Sequence, residues 1–213
     1  MNVYSQFVLP RLMDWAMSGT ELATYRTALL QAVSGRVLEI GFGTGLNLPH
    51  YPASQVESLT VIDANAGMGA IAARRVKDSP LNVTLAILNG ESLPMDEASF
   101  DSVVSTWTLC SIAQVEQALR EIHRVLKPGG QFFFIEHGRS PEPGMAKWQD
   151  RLTPLQKRIA DGCHLNRPIR DLVEQTFGNV SVETFYAESL PKVGGYFYKG
   201  TAKKANSEIA NSE

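Results

Sequence analysis

Cysteine is scarce in this 213-residue chain, which holds only Cys110 and Cys163. Two thiols make no disulfide framework, so a reducing compartment, the cytoplasm, is the expected location. Long apolar runs are missing too. None approaches the roughly 20 residues that cross a bilayer, so no integral membrane segment is expected. The first residues carry no basic-then-apolar signal pattern, because Arg11 and Asp14 interrupt their hydrophobic stretch. Nor is there an excess of charge of one sign. A formal net charge of −2 offers no basic field to a nucleic-acid backbone, and no nucleic-acid partner is expected. No metal site is expected either. The composition that remains, 44% hydrophobic and 20% charged, is ordinary for a globular protein. The length fits one domain, expected over residues 1–202, with a helical cap over residues 1–33. From Lys203 the chain turns polar, and a disordered tail is expected over residues 203–213.

What is present centres on Arg36 to Leu48. Val37-Leu38-Glu39-Ile40 is a short apolar run with β-branched residues, the pattern of a strand. Gly41, Gly43 and Gly45 follow at alternate positions and lead into a second run of helical character. A strand that ends in glycines and feeds a helix presents bare backbone N–H groups, with no Cβ to hold a ligand away. Such a corner suits a nucleotide-like molecule. The dinucleotide fingerprint is G-x-G-x-x-G, followed about twenty residues on by an acid for the ribose hydroxyls. Here the spacing is G-x-G-x-G, Glu39 precedes it, and Asp63 ends the next apolar run eighteen residues after Gly45.

Apolar strands alternate with amphipathic stretches along the chain. Residues 4–19 carry Phe7, Val8, Leu12 and Trp15 at helical spacings, interrupted by Pro10, which predicts one kinked helix or two short ones. Tyr4, Phe7 and Trp15 read either as core packing or as a lid over the binding edge. Further helices are predicted over 20–33, 66–76, 115–126, 145–160 and 169–177, and strands over 56–63, 83–88, 100–105, 131–136, 180–187 and 196–202. This order calls for a parallel sheet covered by helices on both faces. Ligands of such sheets sit beyond the C-terminal strand ends, at the switch point. That rule collects Gly41 to Gly45, Asp63, Asn89 to Glu91, Thr106 to Leu109, and Glu136-His137 along one edge.

Glu39 to Gly45 with Asp63 resembles the S-adenosylmethionine (SAM) site of class I methyltransferases. Glu91-Ser92-Leu93-Pro94 before Phe100-Asp101, and the Leu126-Lys127-Pro128-Gly129-Gly130 turn, agree with it. The ubiquinone/menaquinone C-methyltransferases share this order, and the resemblance covers about Val37 to Arg139. Thr106 to Ser111, Glu136-His137 and Asp161-Gly162-Cys163 are similar to a narrower group that includes the alkyl thiol S-methyltransferases. The resemblance implies a Rossmann-like α/β fold: a seven-stranded, mostly parallel sheet with helices on both faces and an antiparallel C-terminal strand. It also implies SAM as cofactor, S-adenosylhomocysteine as product and a small-molecule methyl acceptor.

On that reading Asp63 accepts hydrogen bonds from the ribose hydroxyls, and Gly41, Phe42, Gly43, Thr44, Gly45 and Asn47 shape the methionine corner. Glu39 either steadies this loop or meets the amino group. Ala64, Asn89, Gly90 and Glu91 form the adenine side, with Thr106 and Leu109 beside it. Methyl transfer mainly requires alignment of the reacting atoms at about 3–3.5 Å. A base is required only for a nucleophile that arrives protonated, and a thiol near pKa ~8.5 is partly ionised already. His137, directly after the fifth strand, is the leading candidate for base or positioning group, with Glu136 beside it. Tyr4, Trp107, Asp161 and His164 are candidate acceptor contacts, while Trp107 reads equally as packing. Cys163 beside His164 is not read as a nucleophilic pair, since neighbours on a turn rarely point together. Two other functions compete: an NAD-dependent oxidoreductase, disfavoured by the glycine spacing and the lack of a Tyr-x-x-x-Lys pair, and a non-catalytic SAM-binding protein.

Overall fold

The computed structural model describes residues 4–206. Period-2 burial builds its centre. In β1 (Gly35–Ile40), Val37 faces one helical layer and Leu38 the other. The same alternation runs through β2 (Val56–Asp63) at Val61 and Ile62, and through β4 (Phe100–Thr106) at Val103 and Val104. In β5 (Leu126–His137) the run Phe132-Phe133-Phe134-Ile135 divides its side chains in turn between the two layers. Strands buried on both faces read as continuous apolar runs, which is why these segments lack polar alternation.

Seven strands form one sheet in the order β3-β2-β1-β4-β5-β7-β6, where β3 is Val83–Ile87, β6 Val180–Tyr186 and β7 Tyr196–Lys203. The β1–β2, β1–β4, β2–β3 and β4–β5 pairs are parallel, and β7 is antiparallel to both its neighbours. The expected sheet is therefore observed, and the strand order reverses between β1 and β4. On one face lies α2 (Thr20–Leu30), which buries Leu22, Leu29 and Leu30. On the other lie α4 (Val115–Val125) and α6 (Ile169–Phe177), seated through Leu119, Ile122, Ile169 and Val173.

The N-terminal segment is two pieces, a π-helical turn over Tyr4–Val8 and α1 over Leu9–Met17. Pro10 sits in the first turn of α1, where its missing N–H costs nothing. The segment packs on α3 (Ala66–Lys77): a Cβ on Gly67 would lie 2.4 Å from the Gln6 carbonyl oxygen. Asp14 of α1 accepts from Arg75 and from Thr44 Oγ1 at 2.6 Å each. The helix before α6, α5 (Pro143–Ile159), begins two residues earlier than expected.

Two boundaries differ from the sequence reading. Strand β5 begins at Leu126 rather than Gln131, because Leu126 pairs with Phe100 across a register shift and draws the Lys-Pro-Gly-Gly stretch into the sheet. The tail expected to loosen at Lys203 is held at its start. Lys203 pairs with Gln131, and the Lys204 amide donates to the Gly130 carbonyl at 3.0 Å. The Lys204 ammonium donates to the Leu126 carbonyl at 2.7 Å. Residues 207–213 of that expected tail lie outside the described residues.

Replacing Gly67 with Ala should push the N-terminal segment off α3 while leaving α3 intact, since Ala is the better helix former. Trypsin should then cut after Arg11 several-fold faster at unchanged far-UV circular dichroism. Unaltered protection of Arg11 would contradict the packing described.

Candidate active site

At the β1/β4 switch point, beyond the C-terminal strand ends, lies a cavity of ≈ 390 Å³. The sheet reversal places it there, since neighbouring connections leave to opposite faces at that point. Its first wall is the glycine corner. The amides of Gly41 and Phe42 both donate to the Ile62 carbonyl, at 2.9 and 3.1 Å, bending the chain off β1. Gly41 has φ +74°, and a Cβ there would lie 2.0 Å from Thr108 Oγ1, so only glycine fits. Phe42, Gly43, Thr44 and Asn47 line the cavity with it; Gly45 does not, and turns its amide to the Phe42 carbonyl.

Asp63 ends β2 and reaches this wall. Its two carboxylate oxygens accept from the Gly43 and Asn65 amides at 2.7 Å each. A carboxylate oxygen has two lone pairs, so each keeps capacity toward the cavity. Burial raises the Asp63 pKa, and Asp161 across the cavity adds to the effect. Ala64, Asn89, Gly90 and Glu91 line the same side. Asn89 Oδ1 holds the Glu91 amide at 3.0 Å, which folds this stretch into a tight turn.

The cavity is also lined by a group that sequence reasoning missed. Arg26 of α2 lines the cavity at only 4% exposure, over the ring of Trp107 at 4.7 Å from its centroid. One guanidinium nitrogen donates to the Met17 carbonyl at 2.9 Å, and Nε has no partner among the described residues. Burial lowers its pKa to about 10, against the pull of Glu39. The signal was present: Arg26 falls on the core stripe of α2, one turn after Leu22 and one before Leu29 and Leu30. An arginine on that stripe either pairs internally or faces a ligand.

Glu39 does not line the cavity. It is buried behind Asn47, with Asn47 Nδ2 donating at 2.8 Å and Tyr51 Oη at 2.6 Å. Burial raises its pKa to about 7 against those two hydrogen bonds. Asn47 also donates to Thr106 Oγ1 at 3.0 Å, and its own Oδ1 has no partner among the described residues. Thr106 and Trp107 line the cavity, whereas Leu109 is fully buried behind it. Trp107 takes φ +50°, a backbone conformation costly for a non-glycine residue, as does Asp161 at φ +47°. Asp161 lines the cavity and accepts from Asn65 Nδ2 at 3.3 Å. Leu9, Met13 and Met17 of α1 add apolar lining, whereas Tyr4, Phe7 and Trp15, expected to pack in the core or to cover this edge, are exposed and do not line the cavity.

The two candidate bases are elsewhere. Glu136 is fully buried, and a single oxygen of its carboxylate accepts from Ser105 Oγ at 3.0 Å and from the Thr108 and Leu109 amides at 2.9 Å each. It anchors the loop after β4 and does not reach the cavity. His137 is buried outside the cavity, its Nε2 3.0 Å from Cys163 Sγ, with Nδ1 unpartnered among the described residues. The strand alternation explains both: a strand end places side chains across the sheet faces, not along the edge. Tyr4 donates to the Ile159 carbonyl at 2.9 Å and His164 is held at the Cys110 carbonyl, so neither touches the cavity. Cys163 pairs with His137 rather than with its neighbour His164, as the turn geometry predicts. Against the expectation of no metal-ligating set, Cys110, His137 and Cys163 converge, with their donor atoms within 4.8 Å of one another.

Glu39 generates a pH prediction. Below its ordinary pKa of 4.5 the carboxyl is neutral folded or unfolded, and contributes no penalty. Between 4.5 and about 7 the unfolded chain ionises first, so the folded state loses stability as pH rises. Relative to the Glu39→Gln variant, the wild type should lose on the order of 2–3 kcal/mol between pH 4.5 and 8, measured by urea unfolding. A constant difference across that range would contradict the buried, proton-holding Glu39.

Comparisons with known proteins agree with this geometry. Residues 38–134 match the family described as a methyltransferase domain. A thiol S-methyltransferase of Rattus norvegicus is 35% identical over 152 residues, 69% of this chain and 62% of that protein. A demethylmenaquinone methyltransferase of Symbiobacterium thermophilum is 36% identical over 47% of this chain and 41% of its own length. The chain thus spans less than two thirds of these curated relatives. A solved phosphoethanolamine N-methyltransferase of Haemonchus contortus, in complex with S-adenosylhomocysteine, shares the fold with a TM-score of 0.72 at 18% identity, over 92% of this chain and 57% of its own. Over residues 38–134 the chain is similar to methyltransferase domains, and its sheet has the Rossmann-like fold that solved SAM-dependent methyltransferases share.

Proposed function

We propose that the chain is a SAM-dependent methyltransferase that methylates a small, mostly apolar acceptor, with thiols as the leading class. The observation that carries this reading is the polar layout of the cavity. A guanidinium with an unpartnered Nε, glycine amides with an acidic strand end, and apolar side chains of α1 line one cavity. SAM presents the matching groups: a carboxylate for Arg26, ribose hydroxyls for Asp63, and a flat base for the Asn89 to Glu91 side. The acceptor capacity left on both Asp63 carboxylate oxygens, and the absence of any Cβ at Gly41 and Gly43, fit those partners. When bound, SAM supplies a methyl group already activated by its sulfonium.

The residues of this chain bind, orient and exclude water. Arg26 and Asp63 fix the two ends of the cofactor, and the Asn47–Glu39–Tyr51 chain supports the methionine side from behind. Met13, Met17 and Leu9 offer the acceptor an apolar approach. Among the described residues, the ionisable side chains lining the cavity are Arg26, Asp63, Glu91 and Asp161, with no histidine or lysine. An acceptor that ionises by itself near neutral pH suits that set, which favours a thiol over an alcohol or amine. The thiol S-methyltransferase relative, matched over more of this chain than the quinone-pathway one, supports the same choice. Free thiols at Cys110 and Cys163 suit a cytoplasmic protein. No helix among the described residues is long and apolar enough to cross a membrane.

The reading is tested by incubating the protein with methyl-labelled SAM and a panel of alkyl thiols, phenols and quinols. Label in a thioether is the expected product; label only in a phenol or quinol would replace the acceptor class. With a thiol acceptor, the rate should rise with pH along the acceptor's own ionisation. A bell-shaped profile set by a side chain would contradict base-free transfer. Asp63→Ala and Arg26→Met should each weaken SAM binding by about tenfold or more, through lost charge-assisted bonds. An unchanged affinity in either variant would remove that residue from the site.

A further inference from the structure

Behind the wall of the cavity, three segments distant in sequence bring two thiols and an imidazole together. Cys110 lies in the loop after β4, His137 is the last residue of β5, and Cys163 lies in the turn after α5. All three are buried, and their donor atoms lie within 4.8 Å of one another. Nothing in methyl transfer uses them, since none lines the cavity. From this convergence we propose that Cys110, His137 and Cys163 bind a thiophilic divalent ion, zinc, that clamps the three segments.

The chemistry of the donor set selects the ion. Two sulfurs and one imidazole nitrogen suit zinc, whereas magnesium and calcium take oxygen ligands. Around a tetrahedral zinc, with Zn–S of about 2.3 Å and Zn–N of about 2.0 Å, donor atoms stand roughly 3.5–3.8 Å apart. With donor atoms within 4.8 Å of one another, the widest pair has to close by no more than about an ångström, and the 3.0 Å His137–Cys163 contact has to open by about half an ångström. His137 Nε2 stands 3.0 Å from Cys163 Sγ, so the ring nitrogen that would take the metal already faces that sulfur.

Charge balance favours a divalent ion. Binding releases one proton from each thiol to solvent, and Zn²⁺ with two thiolates is neutral overall. Gln156 Nε2 points at Cys163 Sγ from 3.7 Å and would support a thiolate there. Among the described residues the group has three members, which leaves the fourth tetrahedral position to solvent. The clamp would fix the Asp161 turn and the Trp107 to Ser111 loop, both of which contribute to the cavity wall.

The test uses protein expressed in zinc-supplemented medium and purified under reductant without chelator. Elemental mass spectrometry should find zinc stoichiometric with chain. Replacing it with cobalt(II) should give thiolate-to-metal charge-transfer absorption and the visible bands of a tetrahedral site. Cys110→Ser and Cys163→Ser should each abolish the charge-transfer band or halve it, and weaken zinc by roughly a hundredfold or more, at unchanged far-UV circular dichroism. The cobalt spectrum of the wild type decides the matter even if a variant fails to fold. Metal-free protein with two reduced thiols that takes up no cobalt would overturn the proposal, and so would a Cys110–Cys163 disulfide seen in the intact mass. A cobalt spectrum that survives both substitutions would overturn it equally. None of these readouts depends on methyl transfer, so the site stands or falls apart from the proposed activity.

Discussion

The buried carboxylate of Glu136 is the interaction from which the site is built. One of its oxygens gathers the Ser105 hydroxyl and the Thr108 and Leu109 amides, across the β4–β5 pair. That fixes the loop after β4 in the conformation that puts Trp107 at positive φ and Thr108 against Gly41. The glycine corner and the Trp107 wall therefore meet because a single charge-capable group is held where water cannot compete. Burial pushes the Glu136 carboxyl above its ordinary range, and the three donors work against that shift. Removing such an acceptor would leave two backbone N–H groups unpaired in the interior, a cost of about 1–3 kcal/mol each.

The cavity itself is arranged by charges held apart. Arg26 is buried and Asp63 half-buried, and each is incompletely neutralised by the protein. A folded state retains such groups where a ligand completes them, and their cost is part of what makes the site selective. Glu39 is the intermediate case. It supports Asn47 and Tyr51 from the second rank and holds a pKa near the middle of the physiological range. Strain at Trp107 and Asp161 falls on the same rim, the pattern expected where geometry serves binding rather than stability.

Much of this was legible in the sequence, for physical reasons that vary by residue. The sheet could be read because strands buried on both faces must be continuous apolar runs, and the glycine corner because only glycine fits where Gly41 meets Thr108. Asp63 followed from strand spacing. Glu136 and His137 were placed on the correct strand end but misassigned in role, because spacing along a strand does not say which face a terminal side chain takes. Glu136 turned to the loop amides and His137 to Cys163, and both needs are tertiary. Arg26 was overlooked because a charged residue in an N-terminal helix is usually on the solvated face; only its place on the apolar stripe distinguished it. The Cys110–His137–Cys163 cluster was out of reach, since its members come from two loops and a strand end that only the fold brings together. The start of the tail was misread because polarity says little about Lys204, whose ammonium caps the Leu126 carbonyl.

The most direct measurement is calorimetric titration of the purified protein with S-adenosylhomocysteine, with NAD as control. The account predicts a single site with micromolar affinity for S-adenosylhomocysteine and no heat from NAD. Binding of NAD in place of S-adenosylhomocysteine would contradict it, and the glycine corner with Asp63 would then have to be a dinucleotide site.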